Sequence, residues 1–206
     1  MSKQSNPYSP HPSISYAISG MRNIERESGK TIDEWVKLIN SKGPEGAKER
    51  QAWLKKEHGF GTNQASWLTE CSFGHGMEFL DEESYLRSAL QSVEEMYSGK
   101  KAALRPLYDT LLKKILALKL DVKFCPGKTI VPIYREHVIA QIKPTTNTRI
   151  DFGLALGDHK AEGRLIDTGG FAKKDRITHR IEIKQDSDID DELFHWFKLA
   201  YERDSP

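Results

Sequence analysis

Along the first third of the chain, apolar positions recur every three to four residues in short runs separated by glycine. Ile18, Met21 and Ile24 share one side of a helix predicted over residues 15–28, in which Gly20 is a poor helix former and Gly29 is the stop. Thr31 lies three residues before Glu34, the spacing at which two side chains cap each other's backbone amides, and Trp35, Leu38 and Ile39 follow on one helical face. Pro44 suits the first turn of a third helix that turns Ala47, Trp53 and Leu54 inward and ends at Gly59. A fourth begins near Thr62 and carries Ala65, Trp67, Leu68 and Cys71. Four short helices read as a small bundle.

Glycines and acids in FGHGMEFLDEES place a domain boundary near residues 74–82. Two longer helical patterns follow, the first through Tyr85, Leu86, Ala89, Leu90, Val93 and Met96, the second through Leu107, Leu111, Leu112, Ile115 and Leu116 after Pro106. Beyond Leu118 the period shortens toward two. DVKFC, KTIVPIY, HVIAQIK and TRIDFGLAL read as antiparallel strands joined by turn residues, the glycine- and charge-rich stretch GDHKAEGRLIDTGGFAKKD as a loop, and RITHRIEI as a further strand. A last helix presents Ile189, Leu193, Trp196, Phe197 and Ala200 on one face. The fold class is therefore α+β: a helical domain over residues 15–75 and, over residues 82–203, an antiparallel sheet with helices on one face. Residues 1–14, with Pro7, Pro10 and Pro12 and no periodicity, read as a flexible leader.

Charge selects no partner by itself: 31 Lys and Arg against 30 Asp and Glu leave a net charge of +1, so any anion site must be local. Cys71 and Cys125 are too few for a disulfide framework or a thiolate metal site, and no segment has the run of ~18 apolar residues that a membrane span needs. With no leader of signal-peptide type, a cytoplasmic location is expected.

Motifs of chemistry fail on their spacing. GKT occurs at Gly29–Thr31 and at Gly127–Thr129, but Ile24 and Val122 stand where a phosphate-binding loop needs glycine. DSDIDDEL resembles a calcium loop, yet Asp191 and Phe197 occupy its glycine and glutamate positions; a cap by Ser187 or Asp188, with Asp190, Asp191 and Glu192 near the positive end of the last helix, explains it better. Cys71, His75 and His58 do not complete a ligand set. No nucleophile elbow, zinc helix or dinucleotide fingerprint is present, so no metal, cofactor or catalytic residue is expected, and the chain reads more as a binding protein than as an enzyme.

Three candidate sites remain. HGFGTNQASWL places Gly59 and Gly61 between two helices; the hairpin could present amides to a nucleic-acid phosphate with Lys55 and Lys56 nearby, but the simpler reading is a corner. In that corner Gly59 is left-handed, Gly61 allows close helix approach, and Phe60, Trp53 and Trp67 fill the core. Lys128, Arg149, Arg164 and Arg180 suit an anionic partner on an open sheet face, nucleic acid being one candidate. Strand alternation puts Ile177, His179 and Ile181 on one face and Thr178 and Arg180 on the other, with His179 expected to be a satisfied core histidine. The alternative is a small-molecule or enzyme pocket between sheet and last helix using Tyr134, Asp151, His179 and Trp196.

The order of these segments also resembles known families. GKTIDEWVKLI with AWLKKEHGFGTNQA resembles a small helical bacterial domain of unknown function, and KTIVPIYREHVIAQIKP, TRIDFGLAL, GRL, THRIEI and DDELFHWFKLAYE resemble a second such domain that often follows it. Relatives of the second are joined to predicted nucleases or labelled predicted transport proteins. The resemblance implies two modules and a non-catalytic role, and supplies no catalytic residue.

Overall fold

Capping and glycine stops divide the N-terminal part where the pattern predicts. In the computed structural model, which describes residues 6–76, 78 and 80–204, α1 (Ile14–Ser28) ends on Gly29 at φ 69°. The Thr31–Glu34 capping box opens α2 (Ile32–Lys42), each backbone amide bonded to the other residue's side chain. α3 (Ala47–His58) starts three residues beyond Pro44, whose carbonyl instead accepts from Arg50 Nε at 2.7 Å. Gly59, at φ 72°, ends it before α4 (Thr62–Ser72). The chain then divides into two compact units, Pro10–Ser88 and the segment ending at Ser9 together with Ala89–Pro206, the division falling within α5 (Glu82–Met96).

The helical unit is built around Met21, Ile24, Ile32, Trp35, Ile39, Leu54, Phe60, Ala65, Leu68 and Cys71, with Trp53 and Trp67 packed at its margin. Burial pushes the Cys71 thiol up to about 11, so it is an inert core group at neutral pH. Gly20, which α1 carries without a break, has a steric reason to be glycine: a β-carbon there would lie 2.0 Å from Trp67 Cζ3. Arg50 is buried, with its guanidinium bonded to Asn40 Oδ1 at 2.9 Å and Ser72 Oγ at 2.6 Å, tying α2, α3 and α4 together.

In the second unit a 3₁₀ turn (Gly99–Leu104) leads into α6 (Arg105–Ala117), which buries Leu107, Tyr108, Leu111, Leu112 and Ile115. The strands are β1 (Lys123–Phe124), β2 (Val131–Tyr134), β3 (Val138–Pro144), β4 (Ile150–Leu154), β5 (Ile166–Asp167) and β6 (His179–Ile183), in the order β1-β2-β3-β4-β6-β5 with antiparallel neighbours. β1 to β4 form the expected meander, and β6 then pairs with β4, leaving β5 at the edge. Ile142, Phe152 and Ile181 are in register on the buried face, and α7 (Asp191–Arg203) packs there with the Phe197 ring 5.8 Å from that of Phe152. The fold is α+β.

Three local expectations change. Residues 1–5 of the expected leader lie outside the described residues, but Tyr8 is buried. It bridges in parallel to Phe124, and its hydroxyl lies 3.0 Å from that of Tyr108. The cap of α7 is Asp190, accepting from the Leu193 amide at 3.1 Å, while Asp188 caps the preceding turn by accepting from Lys184 and Gln185. Ile177 precedes β6 and does not follow its alternation: a β-carbon at Gly153 would meet Ile177 Cγ2 at 2.7 Å and Gln141 Cγ at 2.9 Å, so Ile177 lies over Gly153 on the face opposite Ile181.

Candidate functional site

The four cations expected to share an anion surface occupy three places. Arg149 and Arg180 meet on the open sheet face, where the register sets Asp151 opposite Glu182. Arg149 forms ion pairs with Asp151 at 2.8 Å and Glu182 at 2.9 Å; Arg180 pairs with the same acids at 2.7 and 3.3 Å. The Lys184 ammonium, aided by the two arginines, holds the Glu182 carboxyl below its usual range. Charge on this face therefore alternates. Arg164 instead clamps the start of α7, bonding Asp190 at 2.5 Å and Glu192 at 3.0 Å. Lys128 is exposed in the β1–β2 turn.

Nor does the alternative pocket assemble. His179 is 1 % exposed on the buried face, three positions along the paired strands from the row that holds Asp151. Its Nε2 donates to the His159 carbonyl at 2.9 Å, which leaves Nδ1 to accept from Thr178 Oγ1 at 2.8 Å; that hydroxyl accepts in turn from the Leu156 amide. Both ring nitrogens are engaged, and no carboxylate is among these partners. Trp196 is buried on α7 with its ring against His159, and Tyr134, on β2, has a hydroxyl pushed up by burial.

At the hairpin, Gly61 is extended (φ −67°) and a β-carbon would meet only Gln64 Oε1 at 3.6 Å, so close helix approach is not what this glycine provides. Its amide donates to that same Gln64 oxygen at 3.0 Å, and Gln64 Nε2 reaches Glu27 at 3.4 Å. Lys55 and Lys56 are exposed on α3 and do not line the cavity of about 380 Å³ beside the hairpin, whose walls, including Tyr16, Asn23, Asn63 and Trp67, are uncharged.

A larger cavity, about 700 Å³, lies between the start of the β4–β5 loop, the loop around Phe171 to Arg176, and the end of α7. Ala155, Ala172 and Ala200 give it apolar wall, and Phe171 borders it with 58 % of its surface exposed. Lys174, Arg176 and Arg203 bring positive charge. The loop is folded on itself, with the Lys173 and Asp175 amides bonded to the Gly170 carbonyl and that of Lys174 to Phe171, and this turn holds Lys174 at φ 61°. A left-handed backbone at a residue with a β-carbon is strained, and such strain gathers at binding sites.

Asp204 anchors the far wall. Its side chain is 4 % exposed and accepts from the Glu136 and His137 amides at 3.1 and 2.9 Å, from His137 Nδ1, and from Arg176. Arg176 Nε also bonds the Val138 carbonyl, so its charge is spent on the fold. Lys174 is exposed, and Arg203 makes a contact of 3.4 Å with the exposed Asp158. The available positive groups of the cavity are these two. In the sequence this wall is carried by TGGFAKKDR, residues 168–176, a glycine pair followed by an aromatic and clustered cations.

Two families match. Residues 93–204 match a domain of unknown function, DUF5655, and residues 19–71 match a second, DUF4287. The chain belongs to the DUF5655 family. No curated protein and no solved structure matches it. The DUF5655 segment begins within α5 and takes in the whole sheet, α7 and the cavity, so the two-module order read from the sequence is that of the matched families. Among the described residues, no helix is long and apolar enough to cross a membrane.

Proposed function

We propose that this protein is a non-catalytic binding module that takes a small anionic ligand in the cavity at the end of α7. The observation that carries this reading is the cavity's pairing with Lys174, an exposed ammonium, and with Arg203, whose acid contact is the exposed Asp158 at 3.4 Å, while Arg149, Arg164 and Arg180 are held by acids at closer range. A non-catalytic role is supported by how the cavity's polar groups are used: Asp204 binds two amides, and the Thr178 hydroxyl is fixed between Leu156 and His179. Cys71 and Cys125 are both buried thiols, which fits work in the reducing cytoplasm.

Thermal unfolding in a panel of small phosphates and carboxylates tests the reading. A ligand at 100 times its Kd stabilises the folded state by about 2.7 kcal/mol. At least one anion is expected to raise the midpoint of the parent, and Lys174→Ala with Arg203→Ala should remove that rise; no midpoint shift with any anion would sink the proposal.

A further inference from the structure

The walls of the α7 cavity select more than charge. We infer, resting on the anion reading above, that its ligand is a nucleotide unit, a phosphate joined through a sugar to a planar base. Three features of different chemistry meet in one cavity of about 700 Å³, within the range of small-molecule sites. Lys174 and Arg203 supply donors and charge for a phosphate, and Arg203 reaches Asp158 only at 3.4 Å, a contact a dianion can replace. Phe171, with 58 % of its surface exposed, offers a ring face that water would otherwise cover. Asp175 is an exposed carboxylate on the same wall, an acceptor for sugar hydroxyls or base N–H groups and a poor neighbour for a bare anion. A simple inorganic anion would leave the aromatic and the acid without purpose. A base stacked on Phe171, with its phosphate toward the cations and its sugar hydroxyls toward Asp175, uses all three.

Calorimetric titration of the full chain with inorganic phosphate, adenosine, adenosine monophosphate and a 5′-phosphorylated trinucleotide tests this. Stacking of one base on an aromatic side chain is worth about tenfold in affinity or more. The monophosphate should therefore bind at least about tenfold tighter than inorganic phosphate or adenosine, and Phe171→Ala should bring it down to the level of phosphate while leaving phosphate binding unchanged. Lys174→Ala should weaken every phosphate-bearing ligand and leave adenosine unaffected. If the trinucleotide binds more tightly than the monophosphate, the nucleotide unit is a strand end; if it binds equally or less, it is a free nucleotide. Equal binding of phosphate and monophosphate, unaltered by Phe171→Ala, would overturn the nucleotide inference and leave the anion reading standing. Absence of any Lys174-dependent binding would overturn both.

Discussion

Asp204 Oδ1 lies 3.1 Å from His137 Nδ1, joining the residue that follows α7 to the β2–β3 turn. Burial by itself would raise the Asp204 carboxyl, but the His137 amide, its imidazole and Arg176 outweigh it and hold the group below the usual carboxylate range. A depressed carboxyl stabilises the fold above its unfolded pKa of ~3.9, and that stability is lost as pH falls through the folded value. Asp204→Asn should cost about 2–3 kcal/mol at neutral pH, because the side-chain NH2 it introduces cannot accept from the donors that the buried carboxylate satisfies. Denaturant titrations from pH 7 to pH 2 should show a smaller acid-limb loss in the variant than in the parent; parallel curves would show that Asp204 does not carry this linkage.

Gly20→Ala should destabilise the helical unit by about 1–3 kcal/mol, although alanine improves helix propensity by nearly 1 kcal/mol. The added methyl would meet Trp67 Cζ3 at 2.0 Å. Shortening the obstacle is the control: Gly20→Ala with Trp67→Leu should recover part of the loss in urea unfolding, whereas additive losses would mean that the indole is not the cause.

The glycines of the hairpin should respond differently. Gly59→Ala places a β-carbon at φ 72° and is expected to cost about 1 kcal/mol or slightly more. Gly61→Ser, in extended backbone at the cap of α4, should be neutral or stabilising by a few tenths of a kcal/mol. Equal losses at the two positions in thermal unfolding would contradict this assignment.

Lys174→Gly separates strain from binding. Relief of the left-handed backbone at φ 61° should raise stability by up to about 1 kcal/mol while loss of the ammonium weakens anion binding. A variant that is more stable and binds as tightly as the parent would remove Lys174 from the site.

Tyr8→Ala should lower the stability of the sheet unit by about 2–4 kcal/mol, since the ring is buried and its hydroxyl meets that of Tyr108. Unchanged denaturation midpoints would return this segment to the status of an appendage.

Helix and strand identity was legible wherever it depends on neighbours a few residues away. The Thr31–Glu34 cap, the stops at Gly29 and Gly59, the apolar face of α7 and the shift to period two after Leu118 are local, and each recurs in the structure. Family likeness was legible for the same reason, because ordered segments such as THRIEI and DDELFHWFKLAYE survive in a linear reading. Tertiary structure alone decided which charges remain available. Across the β4–β6 register Arg149 acquires Glu182 and Arg180 acquires Asp151, Arg164 acquires Asp190 and Glu192 from 26 and 28 residues away, and Arg176 acquires Asp204. Lys174, Arg203 and Phe171 come together only when the loop and the end of α7 meet. An ion pair or a cavity wall depends on distance in space, and residues far apart in the chain set that distance through the packing of the core between them.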